Sequence, residues 1–139
     1  MKGSFIPLLI ALSIIPISLR AEEDDSQLEQ QMKILARGMR QLTQQVANPT
    51  QSQSSISLLE SLKKATVDSK AYEPRKTREI SAEKKAAFLA DYRTDLDELK
   101  DSLNQIEDAV KAGKFDQASS LISTVNAIKK DGHGKFKQD

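Results

Sequence analysis

Few side chains in this chain of 139 residues could do chemistry. There is one histidine, His133, and no cysteine, which excludes disulfide frameworks, thiolate zinc sites and cysteine nucleophiles. The sequence has no Gly-x-x-x-x-Gly-Lys phosphate loop, no Gly-x-Ser-x-Gly motif and no visible nucleophile–base pair, so we expect that the protein is not an enzyme. What remains is His133 with Met32, an imidazole and a thioether that could ligate one metal ion from two sides if the fold brought them together.

A group of carboxylates, Asp95, Asp97 and Glu98, is the other candidate site. Surface helices carry residues of this kind on their solvated face, and we interpret the group in that way. Bundle proteins that hold two iron ions between carboxylates use Glu-x-x-His motifs, and this sequence has none. We therefore expect no carboxylate metal centre.

The first 21 residues have the layout of a secretory signal peptide. Lys2 provides a positive start, the segment from Phe5 to Leu19 is uncharged and mostly apolar, and Ala21 is a small residue before an acidic stretch. The apolar run is shorter than the roughly 20 residues of a membrane span, although an uncleaved N-terminal anchor remains the alternative.

Cleavage after Ala21 would leave residues 22–139 as the mature domain. It would remove two basic residues and no acidic ones, so that the formal charge would change from +1 to −1. Because the charge is near zero and no basic block stands out, we expect no nucleic-acid partner. We expect an exported protein of the periplasm that makes no membrane contact once the signal peptide has been removed.

Apolar residues at spacings of three and four predict a first helix of about five turns. It begins at a capping box formed by Ser26 and Glu29, and it ends at Asn48. Its apolar stripe comprises Leu28, Met32, Leu35, Met39, Leu42 and Val46. A polar loop over residues 50–55 is predicted to follow.

A second, shorter helix is predicted from Leu58, Leu62, Ala65 and Tyr72. Ser57 and Glu60 could form its capping box, and Pro74 would close it. Residues 75–79 are charged and lack an apolar pattern, so we interpret them as a linker.

The second half of the chain predicts two further helices. The third begins near Ser81 and ends at Gly113, where a left-handed residue is expected, and the fourth runs from Lys114 toward Phe136. Their apolar faces comprise Phe88, Tyr92, Leu96, Leu99, Leu103, Ile106 and Val110 in the third helix and Phe115, Ala118, Leu121, Ile122, Val125 and Ile128 in the fourth. Four amphipathic helices with short connections predict an all-α fold, an antiparallel up-down-up-down four-helix bundle.

Helix direction would bring Met32 and His133 together. In an antiparallel bundle the first helix starts at the end where the fourth helix finishes, so Met32 in its second turn would lie near His133. Met39 would sit too deep to face the histidine. A thioether and an imidazole across a gap are the axial pair of a six-coordinate haem. Taken singly, a methionine on the stripe is normally core packing, and a histidine near the C-terminus is normally an exposed residue that suits a helix end.

The sequence also resembles the cytochrome b-562 family of soluble four-helix-bundle haem proteins, from about residue 28 to residue 137. The first match is Leu28-Glu29-Gln30-Gln31-Met32, where the family has Leu-Glu-x-x-Met. The second match comprises Gly113-Lys114-Phe115, Ala118, His133 and Lys135-Phe136-Lys137. The family has Gly-Lys-apolar, a nearby Ala, a His 20 residues after the Gly, and a Lys-aromatic-basic trio at the same offsets after that His.

The resemblance implies one non-covalent haem b with Met32 and His133 as its axial ligands. It further implies that Phe88 and Tyr92 form an aromatic pair near the haem, and that Lys129, where the family has arginine, pairs with a haem propionate. The expected function is that of a monomeric electron carrier that exchanges electrons with redox partner proteins. A haem-free exported bundle that acts as an interaction or scaffold protein is the alternative.

Overall fold

The computed structural model describes residues 17–136, with side chains from residue 22 onward, and its regular structure in that range is helical. The four α-helices are α1 (Ile17–Gln45), α2 (Ser52–Ser69), α3 (Ala82–Lys111) and α4 (Phe115–Phe136). Short 3₁₀ helices, Pro49–Gln51 and Arg75–Glu79, precede α2 and α3. No helix in the described range is long and apolar enough to cross a membrane. Most of the predicted signal peptide lies outside the described residues.

Helices that follow one another in the chain pack together, which confirms the predicted all-α four-helix bundle. The contacts run antiparallel. The hydroxyl of Tyr92, near the start of α3, donates to the carbonyl of Ser69 at the end of α2, at 2.8 Å. Further along, Lys63 of α2 pairs with Glu107, which lies near the end of α3 and is only 4% exposed. By contrast, the backbones of α1 and α4 approach each other much less closely, and a groove separates them.

One end of the bundle has a closed apolar core. The largest fully buried apolar side chains there come from all four helices, and they comprise Leu42, Val46, Leu59, Leu62, Leu103, Ile106 and Val125. Each of these side chains is removed from water and closely packed, so this core stabilises the fold through the hydrophobic effect.

Gly113 sets the turn between α3 and α4, as the sequence predicts. Its φ of +73° is left-handed, where side chains other than glycine are strained. The amide of Gly113 donates to the carbonyl of Val110, and that of Lys114 to the carbonyl of Ala109, which is the Schellman arrangement. These bonds satisfy carbonyls at the end of α3 and direct the chain back along it.

Gly38 permits a close approach of α1 and α2. A Cβ atom at this position would lie 2.3 Å from Cδ2 of Leu62 and 3.4 Å from Cδ1 of Leu58. Since Leu62 is fully buried, it has little room to move away. The small residue therefore lets α1 lie against α2, on the side opposite to the open groove with α4.

Two predicted helix starts are wrong. The first helix already includes residues from Ile17 onward, so Ser26 does not cap it, and Glu29 instead pairs with Lys33 at 3.0 Å. No proline or glycine interrupts the chain between Ile17 and Ser26, so nothing stops the helix there. In the second helix, Ser57 lies inside α2, because the residues predicted as a polar loop already form its first turn.

The end of the second helix is also earlier than predicted. The helix finishes at Ser69, whose hydroxyl donates to the carbonyl of Ala65, and Tyr72 lies in the turn that follows. The predicted linker after Pro74 is a 3₁₀ helix with a buried residue, Thr77, whose hydroxyl donates to the Pro74 carbonyl at 2.6 Å. Serine and threonine hydroxyls that bond to backbone carbonyls thus order a segment without an apolar pattern.

Candidate functional site

A cavity of about 520 Å³ lies between α1 and α4, and α3 closes its base. Its apolar lining includes Leu28, Leu35, Leu96, Leu99, Ile128 and Phe136. The volume is in the range of roughly 300–1,000 Å³ that is typical of small-molecule and cofactor pockets. The cavity exists because α1 and α4 do not pack directly against each other along this part of the bundle.

Met32 and His133 line this cavity from its two sides. Met32, on α1, is half-buried and packs against the edge of the closed core. His133, on α4, is exposed at the opposite wall, and α4 stays helical through the glycines on either side of it. Met39 is 3% exposed, belongs to the core and does not line this cavity. The structure therefore brings together the pair that the sequence singles out; their role as iron ligands stays a prediction.

An aromatic cluster closes the cavity on the α3 side. The rings of Phe88 and Tyr92 each meet Phe136 edge to face, with centroids 5.2 Å and 5.4 Å apart. Tyr92 and Phe136 line the cavity, whereas Phe88 lies behind them. Burial raises the pKa of Tyr92, and its hydroxyl donates to Ser69. Such edge-to-face pairs add to the stability that area burial provides, so the cluster is a rigid wall.

Lys129 is the cation predicted to face a cofactor, and it lines the cavity from α4. Its side chain is half-buried. Burial lowers the pKa of Lys129, and the nearby charge of Arg40 lowers it further. No carboxylate in the described part of the chain forms an ion pair with Lys129, so its ammonium group is available to an anion.

The family comparison covers nearly the whole of this site. The family model described as Cytochrome b562 matches residues 27–137. The chain belongs to the cytochrome b562 family. No curated protein matches the chain. The match includes both Met32 and His133, so the two motifs that suggested the resemblance lie within the part of the chain that the family model covers.

The interpretation of Asp95 as part of a solvated face is wrong. Asp97 and Glu98 are exposed, as expected of a solvated face, but Asp95 is half-buried and lines the cavity. Its Oδ2 atom is buried and has no hydrogen-bond partner within the described range. Burial raises the pKa of Asp95. A signal was present, because Asp95 follows Tyr92 by three residues and so falls beside the apolar stripe of α3.

The rim of the cavity is held by ion pairs that no sequence pattern indicates. Asp25 of α1 accepts through Oδ2 from Arg75 Nε at 3.2 Å and from Arg78 Nη2 at 2.5 Å. Asp25 is only 13% exposed, while both arginines are largely exposed. Arg75 and Pro74 line the cavity. The segment between α2 and α3 therefore holds the start of the α1 wall in place.

A haem group, the cofactor that the cytochrome b562 family implies, fits the residues of this cavity. No group of three or more His, Cys, Asp or Glu side chains in the described chain could hold a metal ion by itself. A porphyrin that supplies four nitrogen ligands needs only two further ligands, and Met32 and His133 offer a thioether and an imidazole. The apolar lining suits the ring, and Lys129 suits an acidic substituent. The lining also carries charged side chains, among them Asp25, Glu29, Lys33 and Arg75, and the buried carboxylate oxygen of Asp95 is the one that lacks a hydrogen-bond partner within the described residues.

Proposed function

We propose that this member of the cytochrome b562 family binds one haem b non-covalently between α1 and α4 and carries electrons in the periplasm. The observation that supports the proposal is that Met32 and His133 line the same cavity, one from each helix. The family match over residues 27–137 supports it independently.

Bound haem would supply a one-electron ferric–ferrous couple. The thioether of Met32 and the imidazole of His133 would both bind the haem iron, and we expect them to leave no ligand position open to oxygen. For that reason we propose a carrier and not an enzyme. Methionine ligation and an apolar wall both disfavour the extra positive charge of ferric iron and raise the reduction potential.

The other lining residues would orient the group and exclude water. Tyr92 and Phe136 form a fixed aromatic wall, because their edge-to-face contact and the Tyr92–Ser69 hydrogen bond restrict both rings. Lys129 would pair with a propionate, as a point charge without the two-pronged geometry of arginine. We propose a monomer that meets redox partner proteins and contacts neither nucleic acid nor membrane.

Reconstitution with haem tests the proposal. We expect a Soret band when haem is added to the protein, and loss of most of the binding in His133→Ala, because no second histidine can replace the imidazole. Met32→Ala should keep some haem but lower its reduction potential, since the thioether no longer favours ferrous iron. Absence of a Soret band in the unaltered protein would favour a haem-free interaction or scaffold bundle.

Met39→Leu is the matched control for the ligand assignment. Met39 lies two turns further along α1, in the core and away from the cavity. A Leu for Met exchange nearly conserves volume, so it should cost less than about 1.5 kcal/mol and leave the haem spectrum unchanged. A changed spectrum in Met39→Leu together with an unchanged one in Met32→Ala would show that the register of α1 is wrong.

Export has its own test. The intact mass of the protein recovered from the periplasm should correspond to a chain that begins near Glu22. A mass that retains residues 1–21 would favour an N-terminal anchor instead.

A further inference from the structure

A second cavity, of about 300 Å³, continues the groove between α1 and α4. It adjoins the candidate haem cavity, because Ala36 and Lys129 line both. The rest of its lining comes from one further turn and a half of α1 and one turn of α4, and comprises Met39, Arg40, Thr43, Gln44 and Asn126. Neither the proposed haem binding nor the predicted ligands assign a role to this second cavity.

The charged side chains in this lining are both cations. Arg40 and Lys129 face the cavity from opposite helices, and no carboxylate lies in the lining. Neither cation forms an ion pair with the described residues of the protein. The Nε of Arg40 donates to the carbonyl of Ala36 at 3.4 Å, which holds the guanidinium along α1. The two cations repel each other. Burial lowers the pKa of Lys129, and the positive charge of Arg40 lowers it further.

The neutral groups of the lining also suit an anion. Gln44 and Asn126 carry side-chain amides that can donate hydrogen bonds. Thr43 donates its hydroxyl to the carbonyl of Met39 at 2.7 Å, so its hydrogen is already used within α1. The lining thus offers two charged donors and two amide donors, and it contains no negatively charged side chain.

We propose that this second cavity binds the oxyanion group of a small ligand, a phosphate or a carboxylate, between Arg40 and Lys129. An oxyanion would neutralise the repulsion of the cations and accept charge-assisted hydrogen bonds from both, which are stronger than bonds between neutral groups. The volume is at the lower end of the range for ligand pockets, so it favours a small ligand. The site shares Lys129 with the proposed propionate contact but does not require haem, so it is tested on the haem-free protein.

Titration of the whole protein with inorganic phosphate, and separately with succinate, tests the proposal by calorimetry and by NMR of the side-chain amides. We expect saturable binding with a Kd of about 1 mM or tighter for at least one probe, with the largest shifts at Asn126 and Gln44. Binding of phosphate alone assigns a phosphate ligand, and binding of succinate alone assigns a carboxylate ligand. Binding of both supports a general oxyanion site.

The matched variants separate a site from general charge attraction. Arg40→Gln and Lys129→Gln should each weaken binding at least about tenfold, since each removes a charge-assisted bond. Arg37→Gln and Lys130→Gln each remove a cation from the same two helices, and binding should change less than about twofold, because neither residue lines the cavity. Equal weakening in both sets, or no saturable binding by either probe, would overturn the proposal.

Discussion

At the end of the bundle that contains the Gly113 turn, the helices bury Leu42, Leu59 and Leu103 completely. At the other end, Leu28 and Met32 remain half-buried around a cavity, and α1 does not reach α4. The same amphipathic pattern runs through both ends, so the pattern alone does not decide which end closes. Three consecutive helix pairs pack fully, while the fourth contact of the ring, α1 with α4, is left open.

The two ends of the bundle differ in what they contribute: one holds the helices together, and the other leaves space for a ligand. The closed end can hold the helices together without any ligand, because its core needs no further atoms to be filled. The open end leaves apolar surface and a carboxylate without a partner, which costs stability unless something binds there. Local departures from good packing of this kind are expected at functional sites.

The largest expected effect is the stabilisation of the open end by haem. A ligand that binds only the folded protein raises the free energy of unfolding by about 4 kcal/mol at a free concentration 1,000-fold above Kd. Hydrogen exchange should show the gain in local protection concentrated in residues 28–36 and 128–136, which form the two walls. Equal thermal midpoints with and without haem, or an equal gain in protection at both ends of the bundle, would contradict the claim that haem stabilises the open end.

Next in size is the loss of a side chain from the closed end. Leu103→Ala should lower the free energy of unfolding by about 3 kcal/mol, because Leu103 is 0% exposed and the surrounding helices leave little room for collapse. Leu28→Ala, at the half-buried open end, should cost clearly less in the haem-free protein. Urea unfolding checks both values, and the reverse order would show that the open end carries the core.

A smaller loss is expected at Gly38, where α1 and α2 approach closely. Gly38→Ala should lower the free energy of unfolding by about 2 kcal/mol, since the new Cβ would overlap Leu62. In a Leu62→Ala background the same change should cost much less, because the overlapping atoms are gone. Equal costs in the two backgrounds of this double-mutant cycle would rule out the overlap as the cause.

The smallest effect concerns the unpartnered carboxylate of Asp95. Burial raises the pKa of Asp95 in the folded protein; Asp91 and Asp131 also raise it, while Lys135 opposes them. Above that folded pKa the charged form destabilises the fold, and the penalty disappears as the pH falls toward the unfolded value of about 3.9. Asp95→Asn should therefore raise the free energy of unfolding by about 1 kcal/mol at pH 7 and hardly at all near pH 4.

Asp101→Asn provides the matched control for Asp95. Asp101 lies on the same helix, is exposed and does not line the cavity. Its substitution should change the free energy of unfolding by less than about 0.5 kcal/mol at either pH. A pH-independent gain in Asp95→Asn would show that the effect comes from helix propensity and not from the buried charge.

The sequence is enough to predict the number of helices, the Gly113 turn and the shared end of Met32 and His133, because these follow from periodicity and chain direction. Helix starts were wrong at Ser26 and Ser57, since a capping motif is a local preference that an uninterrupted helical run overrides. The ion pairs of Asp25 with Arg75 and Arg78 join segments about 50 residues apart and leave no trace in spacing.

The cavity itself was not predictable from the apolar stripes. Its size depends on how far α1 leans toward α2, which Gly38 permits and which no periodic pattern records. The environment of Asp95 depends on the same opening, because a closed groove would place a neighbouring side chain against its carboxylate. The size of the cavity and the environment of Asp95 both depend on the distance between helices. The spacing of apolar residues within one helix contains no information about that distance.

The ribosome synthesises the two walls of the cavity at different times. About 100 residues separate the α1 wall from the α4 wall, so at roughly 5–20 residues per second the ribosome makes the second wall about 5–20 s after the first. Throughout that interval a nascent chain carries Met32 on a helix that has no partner wall, and it offers no complete pocket. A complete pocket therefore exists only after the fourth helix has been synthesised, and a ligand that needs both walls can bind only after that point.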